Sequence, residues 1–164
     1  MRIQAGMAVI CGLVLVLPSA ALKAAGKAGG DACSFLSRDR ISTLLGLNID
    51  AGQHIGPGNA LCGWGESNDP THTGKHVLLT LYRAVGKITP AERFENGKMP
   101  IGGIEKTPVT GVGDEAYFID TPGFGLGLNV KKGGAAFQVK VFGFQPDLTK
   151  TFEKALAEDV LAKL

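Results

Sequence analysis

The sequence predicts an α+β fold: a single curved antiparallel sheet with N- and C-terminal helices packed on one face. Three observations carry this. Alternating apolar runs at 75–84, 115–119, 123–132 and 135–144 are joined by short turns, the pattern of adjacent antiparallel strands. Helical periodicity marks the two ends, at 34–46 and 148–164. Glycine makes up 24 of 164 residues, about twice the usual ~7%, and much of it falls in the turns. A chain of this length allows one domain, here 33–164.

Residues 1–24 read as a cleaved signal peptide. Arg2 supplies the positive start, and an uncharged 13-residue run from Ala5 to Leu17 is shorter than the ~20 residues of a bilayer span. Small residues follow Pro18 and Ser19 and permit cleavage before Ala25 or before Leu22. Neither Cys11 nor Cys33 has the setting of a lipidation site. Loss of Arg2 and Lys23 turns 17 basic against 15 acidic residues into 15 against 15. A near-neutral chain is not a nucleic-acid binder, and no membrane span remains after cleavage. Cys11 leaves with the leader. Cys33 and Cys62 remain, and in an oxidising compartment they have one pairing, a disulfide.

Residues 25–32 read as a flexible lead-in. The helix at 34–46 takes Ser34 as its cap and Gly46 as its stop, with Phe35, Leu36, Ile41, Leu44 and Leu45 on one face. A short strand at 61–66 carries Cys62 and Trp64 on the same side, so Trp64 packs near the disulfide. The strand at 75–84 sets Val77, Leu79 and Leu81 against His76, Leu78, Thr80 and Tyr82. Thr89, Pro90 and Glu92 then spell a capping box with proline in the first turn, opening a helix that ends near Asn96-Gly97. A strand at 104–109 and another at 115–119 follow.

Gly133-Gly134 between two alternating runs reads as a tight hairpin. Setting Lys132 opposite Ala135 pairs Val130 with Phe137, Leu128 with Val139 and Leu126 with Val141 on one face. A slip by one residue would scatter these pairs. The other face then sets Gly125 opposite Phe142 and Gly123 opposite Phe144, aromatic cover for exposed backbone. Asp147 caps the last helix, with Leu148, Phe152, Leu156, Val160 and Leu164 as its apolar stripe and Glu153 largely off it.

Candidate chemistry is sparse. A metal centre or small periplasmic enzyme would need His54, His72 or His76 to converge with Glu66, Asp69 or Asp114. No Cys-x-x-Cys pair accompanies the cysteines. The glycine strings at 111–113 and 123–127 precede no helix start, so they lack the geometry of a phosphate cradle. Asp114 and Glu115 are adjacent and point to opposite faces of a strand. No catalytic, cofactor-binding or metal-ligating residue is assigned. The mixed polar and aromatic outer face of the sheet, with Tyr82, Gln138, Lys140, Phe142 and Phe144, is the candidate binding face.

The segments Asp31-Ala32-Cys33-Ser34-Phe35-Leu36, Cys62-Gly63-Trp64 and Gly111-Val112-Gly113-Asp114-Glu115-Ala116-Tyr117 resemble a group of exported bacterial domains of unknown function. Many of that group are actinobacterial lipoproteins. The resemblance spans about 33–164 and implies a Cys-to-Cys bridge and a helix-on-sheet fold; it implies no catalytic residues. The expectation is an exported non-catalytic binding or accessory domain, periplasmic or secreted, stapled by one disulfide. Its partner would be an unknown small ligand or an exported protein that it inhibits or stabilises, with Phe142 and Phe144 as anchors.

Overall fold

Short-range signals set most element ends. Asp31 opens α1 (Ala32–Phe35) by accepting the Cys33 amide at 2.8 Å. Ser37 opens α2 (Arg38–Leu45), its hydroxyl accepting the Arg40 amide, and Gly46 closes it in the left-handed region at φ +66°. The one helix expected over 34–46 is therefore two. Leu36 and Ser37 between them are extended, which drops Leu36 into the core and frees the Ser37 hydroxyl to start the next helix. The computed structural model describes residues 30–69 and 74–164; the leader, residues 25–29 of the lead-in, and His72 lie outside the described residues. The end of the lead-in is built into the fold. Ala32 is fully buried, its amide bonds the Asn59 carbonyl at 2.9 Å, and Arg83 holds the Gly30 carbonyl.

The remaining elements are β1 (Gln53–His54), β2 (Leu61–Gly65), β3 (His76–Leu81), α3 (Pro90–Gly97), β4 (Glu105–Val109), β5 (Glu115–Thr121), β6 (Gly125–Lys132), β7 (Ala135–Phe142) and α4 (Pro146–Leu161). The capping box of α3 is complete: Thr89 accepts the Glu92 amide and the Glu92 carboxylate accepts the Thr89 amide at 2.7 Å. The start of α4 differs from expectation. Gln145 occupies the cap position with no side-chain bond, Pro146 takes the first turn, and Asp147 already lies inside the helix.

The strands form one open antiparallel sheet in the order β1-β2-β3-β7-β6-β5-β4. Near the turn the hairpin register is the expected one, with Lys132 opposite Ala135, Val130 opposite Phe137 and Leu128 opposite Val139; the expected Leu126–Val141 pair does not form, because the ladder ends at Leu128 and Val139. All three apolar members of the β7 inner face, Phe137, Val139 and Val141, are buried against Val77, Leu79, Leu128, Val130, Leu156 and Val160. Burying each such side chain contributes about 1.5–3 kcal/mol, so the register is strongly held.

α1, α2 and α4 cover this inner face. α3 packs on the opposite face, with Phe94 against Tyr117 and Ala136. The strand order explains why. β3 sits third in the sheet and β4 lies at its far edge, so the connection between them must cross β7, β6 and β5. The inner side is already occupied, and the amphipathic α3 crosses outside. The stripe of α4 is also rotated from expectation. Thr149, Glu153, Leu156, Ala157 and Val160 face the sheet, and Leu148 is half exposed.

Candidate functional site

The outer face of the sheet is divided in two by α3. On the closed half, Tyr82 donates its hydroxyl to Asn129 Oδ1 at 2.5 Å, and Gln138 Nε2 donates to the same oxygen at 3.3 Å. The Arg93 guanidinium lies 5.0 Å from the Tyr82 ring centre, and the Phe94 and Tyr117 rings are 5.0 Å apart. Burial raises the pKa of both tyrosines above the ordinary phenol value. Tyr82 is thus beneath a helix, and the continuous open surface expected from Tyr82 to Phe142 does not form. Glu95 of α3 and Glu115 of β5 share Lys98 and Lys131, which pins the helix in place.

The open half holds Lys140 and Phe142. His76 is opposite Phe142 in register, and their rings stack at 4.2 Å with a 12° interplanar angle. Phe142 covers Gly125, as the hairpin pattern suggests; a methyl group there would stand 3.4 Å from its ring. Lys140 lies across Gly127, where a side chain would meet its methylenes at 2.9 Å. The Lys140 ammonium bonds the Phe124 carbonyl at 3.0 Å, and burial lowers its pKa against the pull of Glu153 and Asp120.

Phe144 does not cover Gly123. Gly143, at φ +85°, turns the chain out of the strand, and Phe144 swings to the α4 side, where its ring meets Phe152 edge-on at 5.1 Å. This turn creates a cleft. β6 runs on to Gly125 and β7 to Phe142, yet their pairing ends at Leu128 and Val139. At the unpaired end, the Val141 amide donates to Glu153 Oε1 at 2.9 Å. A cleft of about 360 Å³ opens beside it, lined by Phe118, Leu126, Phe142, Phe144, Thr149 and Lys150 among others. Phe142 and Phe144 therefore meet at one opening, although from different directions than the sequence implies. The hydrophobic stripe of α4 gives no warning of Glu153, because a charged residue between two lysines reads as solvated surface.

The expected meeting of histidines with Glu66, Asp69 or Asp114 is not seen among the described residues. His76 stacks on Phe142. Asp114 accepts the Gly133 amide at 2.6 Å and the Lys132 ammonium at 2.9 Å, so it braces the β6–β7 turn. Those two donors hold its carboxyl below the usual range. His54 instead faces Asp31, with Nε2 3.4 Å from Oδ2, and Cys33, with Nδ1 3.6 Å from Sγ. Cys33 and Cys62 form the disulfide, with Cα atoms 5.2 Å apart. Cys62 and Trp64 are buried side by side, and Gly52 packs against both.

No helix among the described residues is long and apolar enough to cross a membrane. Comparison with protein-family models, with curated proteins and with solved structures finds no match to this chain.

Proposed function

We propose that the protein is an exported, non-catalytic binding or accessory module that takes a small ligand, or a side chain of a partner protein, at the parted end of β6 and β7. The observation that carries this reading is the cleft shared by Phe142 and Phe144, whose lining sets aromatic and apolar side chains beside the charged Glu105, Asp120 and Lys150. The disulfide supports export, because such bonds persist in oxidising compartments. The leader-like run at 1–24 and the resemblance to exported bacterial domains support it as well.

The test is a photo-reactive phenylalanine analogue placed at 142 or 144, with a control at Ser37 on the helical side. The full chain is expressed with its leader in a bacterial host and irradiated in the cells. The expected result is a discrete adduct from the two cleft positions and none from the control. Equal labelling at all three, or labelling at none, overturns the site. Mass measurement of protein released from the periplasm tests export separately. The chain should have lost its first 21 or 24 residues, and its two remaining cysteines should be oxidised.

A further inference from the structure

The geometry points to a second, redox-gated site: once the disulfide is reduced, Cys33, Cys62 and His54 form a three-ligand centre for a thiophilic divalent metal such as zinc, with Asp31 orienting the histidine. Three elements build it. Cys33 lies in α1, Cys62 in β2, and His54 at the end of the edge strand β1, where it is paired in register with Cys62. One ligand atom from each of Asp31, Cys33 and His54 lies within 4.8 Å of the others.

The Cys33–His54 separation suits coordination, and the disulfide already holds Cys62 Sγ against Cys33 Sγ. Zinc binds thiolate sulfur at about 2.3 Å and imidazole nitrogen at about 2.0–2.1 Å, which makes the S···N edge of a tetrahedron about 3.6 Å. The His54 Nδ1 to Cys33 Sγ separation is 3.6 Å. The other ring nitrogen faces the Asp31 carboxylate at 3.4 Å, the arrangement in which a carboxylate sets the tautomer and direction of a metal-bound histidine. Asp31 is itself anchored, because its second oxygen caps the Cys33 amide. In the oxidised protein both sulfurs are committed to each other and this centre cannot form.

The gating step balances with a dithiol as reductant. A thiolate of the dithiol attacks Cys33 Sγ, the accessible sulfur, since Cys62 is fully buried. The Cys33–Cys62 bond breaks and Cys62 leaves as the thiolate. The second thiol of the reductant then attacks the mixed disulfide, releasing Cys33 and leaving the reductant as its own disulfide. Two electrons pass to the protein. Metal binding releases the thiol protons, and the partly exposed His54 and Asp31 leave the centre open to an incoming ion.

Zinc binding is measured by competition with a chromophoric chelator, on the whole mature chain, before and after anaerobic reduction and removal of the reductant. The expected result is one equivalent bound by the reduced protein and none by the oxidised protein. His54→Ala and Asp31→Asn should each weaken binding about 10- to 100-fold. Cobalt in place of zinc should give thiolate-to-metal charge-transfer absorption. Reduced protein that binds no metal, or that binds it equally well as His54→Ala, overturns the proposal. Should reduction unfold the domain, zinc must restore the near-ultraviolet signal of Trp64, and failure to do so overturns it equally.

Discussion

A carboxyl group with no exposed surface sits where the last helix meets the sheet, and burial opposes its ionisation. The Val141 amide, Lys140 and the Leu128 amide pull the other way, yet Glu153 is raised to about 8. A carboxyl raised on folding contributes stability that is complete below its unfolded value near 4.5. That stability declines as pH rises and has been lost above about 8. Each unit of difference corresponds to about 1.4 kcal/mol, so the swing is large for a small domain. The urea midpoint of the protein should fall between pH 5 and pH 9. Glu153→Gln keeps an acceptor for Val141 and has no charge to gain, so its midpoint should stay level over that range. A level midpoint in the unsubstituted protein would refute the account. Asp114, Glu92, Glu95 and Glu115 act in the opposite sense, since all four are held below their usual range by hydrogen bonds. Their contribution is present above the unfolded carboxylate values and lost as pH falls through their own, which lies below the pH 5–9 window.

At the scale of the element, two of the three helix starts predicted from caps, those of α3 and α4, separate cleanly. Thr89→Ala breaks a capping box in which both reciprocal bonds are present, and should cost about 1 kcal/mol by urea unfolding. Asp147→Ala removes no cap bond and should cost only the helix-dipole contribution, about 0.3–0.5 kcal/mol. Equal losses would contradict the observed start of α4. α3 was legible because its signals are local and agree: threonine, proline and glutamate at fixed spacings. The start of α4 was not, because aspartate serves equally well as a cap or in a first turn. The choice fell to Pro146, which is tolerated at the first helical position. The split between α1 and α2 was hidden for a similar reason. Asp31 and Ser34 are both good caps, and only the burial of Leu36 decides that the chain straightens there.

For the whole molecule, the disulfide joins α1 to β2 across 29 residues, which on the chain-entropy argument contributes about 3–4 kcal/mol. Replacing both cysteines by serine should lower the unfolding free energy by that amount while leaving the sheet signal in circular dichroism unchanged at low temperature. A loss well under 1 kcal/mol would show that the 33–62 segment is held by packing alone. The same scale decides the binding surface. Because β3 pairs with β7, the chain must carry α3 over the outer face to reach β4, and this closes the Tyr82 end. What remains open is the other end, where β6 and β7 part and α4 supplies Glu153 to the Val141 amide.

The sequence by itself determined the class of fold, the hairpin register, the capping box of α3 and the pairing of Cys33 with Cys62. Each depends on near neighbours or on a forced choice: alternation with period two, residues three apart, two cysteines with one partner each. It also identified Phe142 as cover for Gly125. The tertiary structure alone decided which face each helix takes, the burial of Glu153, the departure of Phe144 from the strand, and the meeting of His54 with Asp31 and Cys33. These depend on strand order and on contacts between segments far apart in the chain. Strand order is set by which apolar faces bury each other in three dimensions, and no local pattern in a single chain encodes that.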